Sequence, residues 1–315
     1  MQIPQDRPQA EQLRGARAIA PPRRRLRFPL MTLMLIGLNL LMAYAQFAAG
    51  GHEWQAGSIG KDLSDWALGV KVPSLISHGH QYWRLVTANF LHGSWLHLLA
   101  NMAGILFLGW VIETFYGPVR MLAIFVLSSV AGAVASYCLT HGVSLGASTG
   151  VMGLMGAVLL HNGKYRRHLP ERLNAIFPVL LVLLFIQLAL DQLNHQVDAF
   201  GHLGGLLGGV VMAALLESRI AGPLQDERDW LPLPTALATA LGLLAYGGYG
   251  LLSTLPTEPQ QRLLRAGRAP STAAEAAQLE QVVEQQRFLV EGRLYLAELF
   301  IRLNRFDDAT RQYRE

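Results

Sequence analysis

Four polar residues in this sequence have types and spacings that can do chemistry. Ser148 opens one apolar run in Gly146-Ala147-Ser148-Thr149-Gly150, and His202 opens another in Gly201-His202-Leu203-Gly204-Gly205. His97 and Asn101 open a third, four residues apart and so on one helical face. A serine hydroxyl becomes a nucleophile when a base takes its proton, and a neutral imidazole does this near pH 7. Acyl transfer also needs hydrogen-bond donors aimed at the developing oxyanion. The Asn101 amide, a His97 N–H and the Ser148 backbone N–H are the available donors. Asp198 lies four residues before His202. No other carboxylate is positioned to orient the imidazole, so the pattern suggests a Ser-His dyad rather than a triad.

The elements that carry these groups must be membrane helices. Of 315 residues, 51% are apolar and only 15% charged, against roughly 25% charged in a typical soluble domain. Mean hydropathy is +0.28, and so little charge cannot coat a water-soluble protein of this size. A helical span needs about 20 mainly apolar residues. Candidate runs are 28–49, 95–112, 119–139, 148–160, 175–190, 199–216 and 233–252. The expected fold is all-α: a polytopic membrane bundle of six core helices plus a seventh, followed by a soluble helical tail. The fourth run is short and glycine-rich, which makes it the weakest by hydropathy.

Charge at the flanks gives an expected orientation. Arg23-Arg24-Arg25-Leu26-Arg27 precedes the first run and should hold the N-terminus in the cytoplasm. That first run is too long for a signal-peptide core and lacks a small-residue cleavage site. By counting, the connection after the fourth run is also cytoplasmic, and it carries Lys164, Arg166, Arg167 and Arg172. Arg262, Arg265 and Arg268 after the seventh run oppose the count, and the crossing is retained against them. Runs two, four and six then start from the outer side, so Ser148, His202, His97 and Asn101 sit at similar depth below it. Small-residue stripes explain how two of these helices would meet: Gly201, Gly205 and Gly209, with Gly204 and Gly208, against Gly146, Gly150, Gly153 and Gly156. The plainer alternative is that these glycines serve packing alone and the serine bonds to its own helix.

Other classes of function are disfavoured. The net charge is +4 and the sequence pI near 9.4, but the arginines flank apolar runs as topology signals rather than forming a phosphate-binding face, so no nucleic-acid partner is expected. Cys138 is the only cysteine, which removes an intrachain disulfide and a cysteine-based zinc site. Ten histidines raise the possibility of a metal transporter or metalloprotease, yet no HExxH string occurs. His52, His78, His80, His141 and His195 fall in expected outer loops as solvated surface. No cofactor or metal is expected.

The ordered set Tyr82-Trp83-Arg84, then His92, His97 and Asn101 in HGSWLHLLAN, Glu113 and Gly117 in IETFYG, GAST around Ser148 and GHLGGLLGG around His202 resembles the rhomboid intramembrane serine proteases, in their six-plus-one span form. The resemblance implies Ser148 as nucleophile and His202 as general base, with His97, Asn101 and the Ser148 backbone forming the oxyanion hole. It implies structural support from His92, Trp83 and Arg84 in the outer loop, from Glu113 near the cytoplasmic end of its helix, and from Gly146, Gly205 and Gly209 in packing. Substrates would be transmembrane helices of other proteins in the lipid bilayer, entering past the fifth span. Two departures stand out. Met152 occupies a position where an aromatic residue usually stacks on the base histidine, and Thr149 replaces a common glycine. The rival within the same family is a silent relative that binds transmembrane helices as a scaffold.

The expected division is a basic cytoplasmic arm over 1–27, a six-helix catalytic membrane domain over 28–218, a cytoplasmic loop with the seventh helix over 219–256, and a helical tail over 257–315. Ala297, Phe300, Phe306, Ala309 and Tyr313 have the spacing of a tetratricopeptide helix pair. One such repeat cannot bury its own apolar face, so the tail reads as a truncated array or as a surface for a protein partner. The expected location is a bacterial cytoplasmic membrane, with the active site opening outward.

Overall fold

The computed structural model of the chain describes residues 28–50, 59–77, 79–166, 175, 177–184, 186–187, 198–216, 232–253, 297, 300 and 305–314. The described residues are helical apart from connecting segments and one isolated bridge between Lys71 and Ser144. Four helices are long and apolar enough to cross a membrane: α1 (Leu30–Gly50), α5 (Trp95–Tyr116), α6 (Pro118–Leu139) and α9 (Pro232–Ser253). Between α1 and α5 lie three short helices, α2 (Ile59–Leu68), α3 (Pro73–Ser77) and α4 (Arg84–Thr87). After α6 come α7 (Ser148–Tyr165) and α8 (Ala199–Leu215), then α9, and finally α10 (Phe306–Arg314). Residues 177–184 of the fifth apolar run are helical.

Helix α1 shows how a membrane reverses the usual pattern. Its inward stripe is Thr32, Leu35, Asn39, Ala43 and Gln46, all buried, while Met34, Leu38, Leu41 and Tyr44 are exposed. A helix in water would hide the second set and wet the first; in lipid, polar groups gain by turning toward the bundle. Glu113 on α5 holds the start of α1, accepting from the Met31 N–H at 3.1 Å and from the Thr32 N–H and hydroxyl at 2.8 and 2.7 Å. These are donors that a helix N-terminus cannot satisfy itself.

Helix α6 is the central post, with every residue from Met121 to Val126 buried. Gly117, at φ 86°, makes the sharp turn out of α5, and Pro118 starts α6 where a missing N–H costs nothing. Helices α7 and α8 meet at backbone contact. A Cβ on Gly205 would overlap the Thr149 carbonyl, and one on Gly209 the Gly153 carbonyl. The connection between α1 and α5 contains a small folded unit around Trp66, Leu68, Val70, Val72, Leu75 and Leu91.

Two boundaries differ from the sequence expectation. The second span continues to Tyr116 through a π turn at Ile105–Gly109. The fourth continues to Tyr165 because His161 and Asn162, polar enough to end a hydropathy run, are buried. His161 stacks on Phe115 at 4.5 Å between ring centres and meets Tyr116 edge-on at 5.6 Å.

Candidate active site

The N-terminal ends of α5, α7 and α8 line one cavity of about 740 Å³, whose wall includes Ser148, His202, His97 and Asn101. Ser148 Oγ and His202 Nε2 are 2.7 Å apart. Ser148 is the first residue of α7, so its backbone N–H belongs to the turn that has no intrahelical acceptor. His202 sits one turn into α8, buried, with its own N–H given to the Asp198 carbonyl at 3.0 Å.

His97 has a defined tautomer. Its Nδ1 accepts from the Gly93 N–H at 3.4 Å, so in the neutral ring the proton is on Nε2. That nitrogen faces Gly146, where an added Cβ would come within 2.8 Å of it and 3.5 Å of Ser148 Oγ. Gly146 has φ +131° and gives its N–H to the Ala88 carbonyl at 2.9 Å. The φ and the close approach of the His97 ring are what require glycine there. Asn101 is buried, and its Nδ2 is a donor with no hydrogen-bond partner among the described residues. An unpaired buried amide is costly in a protein interior, and this one shares the cavity wall with Ser148. The cavity wall thus gathers the Ser148 hydroxyl, the His202 imidazole touching it, the His97 ring and the Asn101 amide.

The connection between α1 and α5 is held from several sides. Arg84 is fully buried, giving Nη1 to the Trp66 and Val70 carbonyls at 2.9 and 3.1 Å and Nε to Gln81 Oε1 at 2.7 Å, with its guanidinium 4.7 Å from the Trp83 ring centre. Gln46 of α1 clips the loop by accepting from the His92 N–H at 3.0 Å and donating to the His92 carbonyl at 3.1 Å. The His92 and His97 rings meet edge-to-face at 5.3 Å. Thr149 gives its hydroxyl proton to Asn89 Oδ1 at 2.6 Å, so this side chain is tied down. Met152 is buried and lines the cavity beside Ser148 and His202.

Asp198 serves its own helix. It caps α8, accepting from the Gly201 N–H at 2.9 Å, and its other oxygen takes the Ser136 hydroxyl. Ser136 in turn accepts from Lys71 Nζ at 2.5 Å, and Lys71 also reaches Thr140 Oγ1 at 3.1 Å. Burial lowers the Lys71 pKa, opposed by the charge of Asp198. Burial alone would raise the Asp198 pKa, but bonds from Ser136, Ser144 and the Gly201 N–H, with the Lys71 charge, hold it below the ordinary carboxylate value. Sequence reasoning missed Lys71, Asn89 and Ser136. A lysine in an outer loop is ordinarily solvated, and a serine within an apolar helix ordinarily bonds its own backbone.

His80 and His141 are exposed; His52, His78 and His195 lie outside the described residues. In the tail, Ala297, Phe300 and Ala309 are buried, whereas Phe306 is 60% exposed. Most of the tail lies outside the described residues.

An all-α bundle with four long apolar helices, exposed apolar surfaces and polar groups turned inward defines an integral membrane protein. Residues 79–219 match the rhomboid domain family. The chain is 31% identical over 219 residues to rhomboid protease GluP of Bacillus subtilis (strain 168), covering 70% of this chain and 41% of that one. It is 35% identical over 150 residues to RHOMBOID-like protein 1 of Arabidopsis thaliana, covering 46% and 37%. With Rhomboid-like protease 3 of Toxoplasma gondii the identity is 33% over 187 residues, covering 59% and 66%. The chain therefore spans less than two thirds of the length of each of these relatives.

Proposed function

We propose that the chain is an intramembrane serine endopeptidase that hydrolyses peptide bonds in or near transmembrane helices of other membrane proteins. The observation that carries this is the 2.7 Å contact of Ser148 Oγ with His202 Nε2 in the wall of a cavity shared with an unpaired Asn101 amide. Ser148 Oγ attacks the scissile carbonyl carbon while His202 Nε2 takes the hydroxyl proton. The carbonyl oxygen becomes an oxyanion, accepted by Asn101 Nδ2, His97 Nε2–H and the Ser148 N–H. Collapse breaks the C–N bond. The leaving amine takes the proton from His202, and an acyl-enzyme remains on Ser148. Water, giving a proton to His202, then attacks the ester carbonyl, and the carboxylic product leaves as Ser148 regains its proton. In this reading His202 and Ser148 act as a dyad.

The catalytic unit in this proposal is 28–218 in six spans, with the seventh in 219–256 and a tetratricopeptide-like partner surface in 257–315. The basic arm 1–27 lies in the cytoplasm and the cavity opens on the opposite side of a bacterial cytoplasmic membrane. The substrate helix enters laterally past the fifth span. Purified protein in liposomes with a transmembrane reporter tests the chemistry. The native chain should cut, and Ser148→Ala and His202→Ala should each lose at least about a thousandfold in kcat while remaining folded. Cleavage surviving Ser148→Ala would overturn the nucleophile. A folded native chain that retains the reporter without cutting it would favour the scaffold instead.

A further inference from the structure

Lys71 is attached to both halves of the dyad. Through its backbone it pairs with Ser144, with N–H to carbonyl distances of 3.1 Å one way and 3.2 Å the other. Ser144 lies four residues ahead of Ser148 in the loop that delivers it. Through its side chain Lys71 reaches Ser136 on α6, and Ser136 passes its proton to Asp198. Asp198 is the N-cap of α8, four residues ahead of His202, and His202 hangs its N–H on the Asp198 carbonyl. Lys71 is 1% exposed and Ser136 fully buried, while Asp198 and Ser144 are half-buried in the cavity wall, and Asp65 and Gln46 close the other side of the α1–α5 connection. A buried ammonium and a half-buried carboxylate bridged by one hydroxyl form a connection with little freedom, because the ammonium loses its compensation if the carboxylate moves away.

We propose that the Lys71–Ser136–Asp198 relay sets the distance between Ser148 and His202, which makes Lys71, Ser136 and Asp198 positioning residues for the reaction. Nothing in the relay touches the reacting atoms. It fixes the serine loop to the base helix across the tip of α6, together with the bond that Ser144 makes to Asp198, whereas glycine packing controls how closely α7 and α8 approach. The inference rests on the serine-protease function proposed above. Misplacing a reacting group by about 1 Å costs on the order of a hundredfold in rate, so a relay of this kind is visible in kinetics without any change in fold.

The test is the rate at which a fluorophosphonate probe labels Ser148 in the purified full chain. Native protein, Ser148→Ala, Lys71→Met, Asp198→Asn, Ser136→Ala and the Lys71→Met/Asp198→Asn double variant are compared. Labelling of the native chain that disappears in Ser148→Ala establishes the reactive serine independently of any relay. Given that, the relay predicts at least a fivefold fall in the maximal labelling rate for each single variant. The half-saturating probe concentration and the unfolding temperature should be unchanged. The double variant should be no slower than the slower single, since both substitutions break one connection. Rates within fivefold of native, a loss that tracks a lowered unfolding temperature, or multiplying effects in the double variant would each overturn the relay while leaving the serine function standing. If Lys71→Met fails to fold, Ser136→Ala, which removes one hydroxyl, decides by the same criteria. A folded native chain that never labels would overturn the serine function and the relay with it.

Discussion

Deleting the Asn101 amide separates chemistry from packing at a single position. Its Nδ2 bonds to no described group, so Asn101→Ala removes a buried unpaired donor, and stability should change little. The same substitution removes a donor to the oxyanion, and kcat should fall by about 10²–10³ with KM nearly unchanged. Steady-state cleavage and thermal unfolding, measured on one preparation, check both halves. These side chains were legible in the sequence for a physical reason: serine, histidine and asparagine are expensive inside hydrocarbon, so each stood out against its apolar run. Lys71 and Asn89 were not legible. They belong to a loop where polar residues are ordinary, and only the fold reveals that the loop is packed.

At the scale of elements, the approach of α7 and α8 depends on atoms that cannot give way. The Gly153 carbonyl lies where a Cβ on residue 209 would be, and a backbone cannot rotate aside as a side chain can. Gly209→Ala should therefore lower stability by about 1–3 kcal/mol, read as a reduced unfolding temperature in detergent, with reporter cleavage falling in parallel. The glycine spacing showed which faces meet, since small stripes are where membrane helices come close. It did not show where the helices end. Hydropathy stops at Leu160, whereas α7 runs on to Tyr165 because Phe115 and Tyr116 of α5 receive His161. The π turn in α5 likewise leaves no mark on periodicity.

For the molecule as a whole, the apolar fraction and the flanking arginines made the all-α membrane bundle readable before any helix was placed. They also carry a directional prediction. Gly142 is exposed on the segment between α6 and α7, with open space where its side chain would be. Gly142→Cys in a Cys138→Ser background should react with a membrane-impermeant maleimide added outside intact cells or spheroplasts. Labelling only after the membrane is opened would reverse the assigned orientation.

Helix α9 rests directly on the outer loop: a Cβ on Gly250 would overlap Trp83, and one on Gly247 would come within 3.0 Å of Val86. Trp83 and Val86 belong to the segment that leads into α5, yet their last neighbour is made only near the end of the membrane portion of the chain. During synthesis, then, the serine, the histidine and the donors can all be inserted while the loop above them still lacks its buttress. By the order of synthesis, the contacts that α9 makes with Trp83 and Val86 are completed only after α5, α7 and α8 have been made.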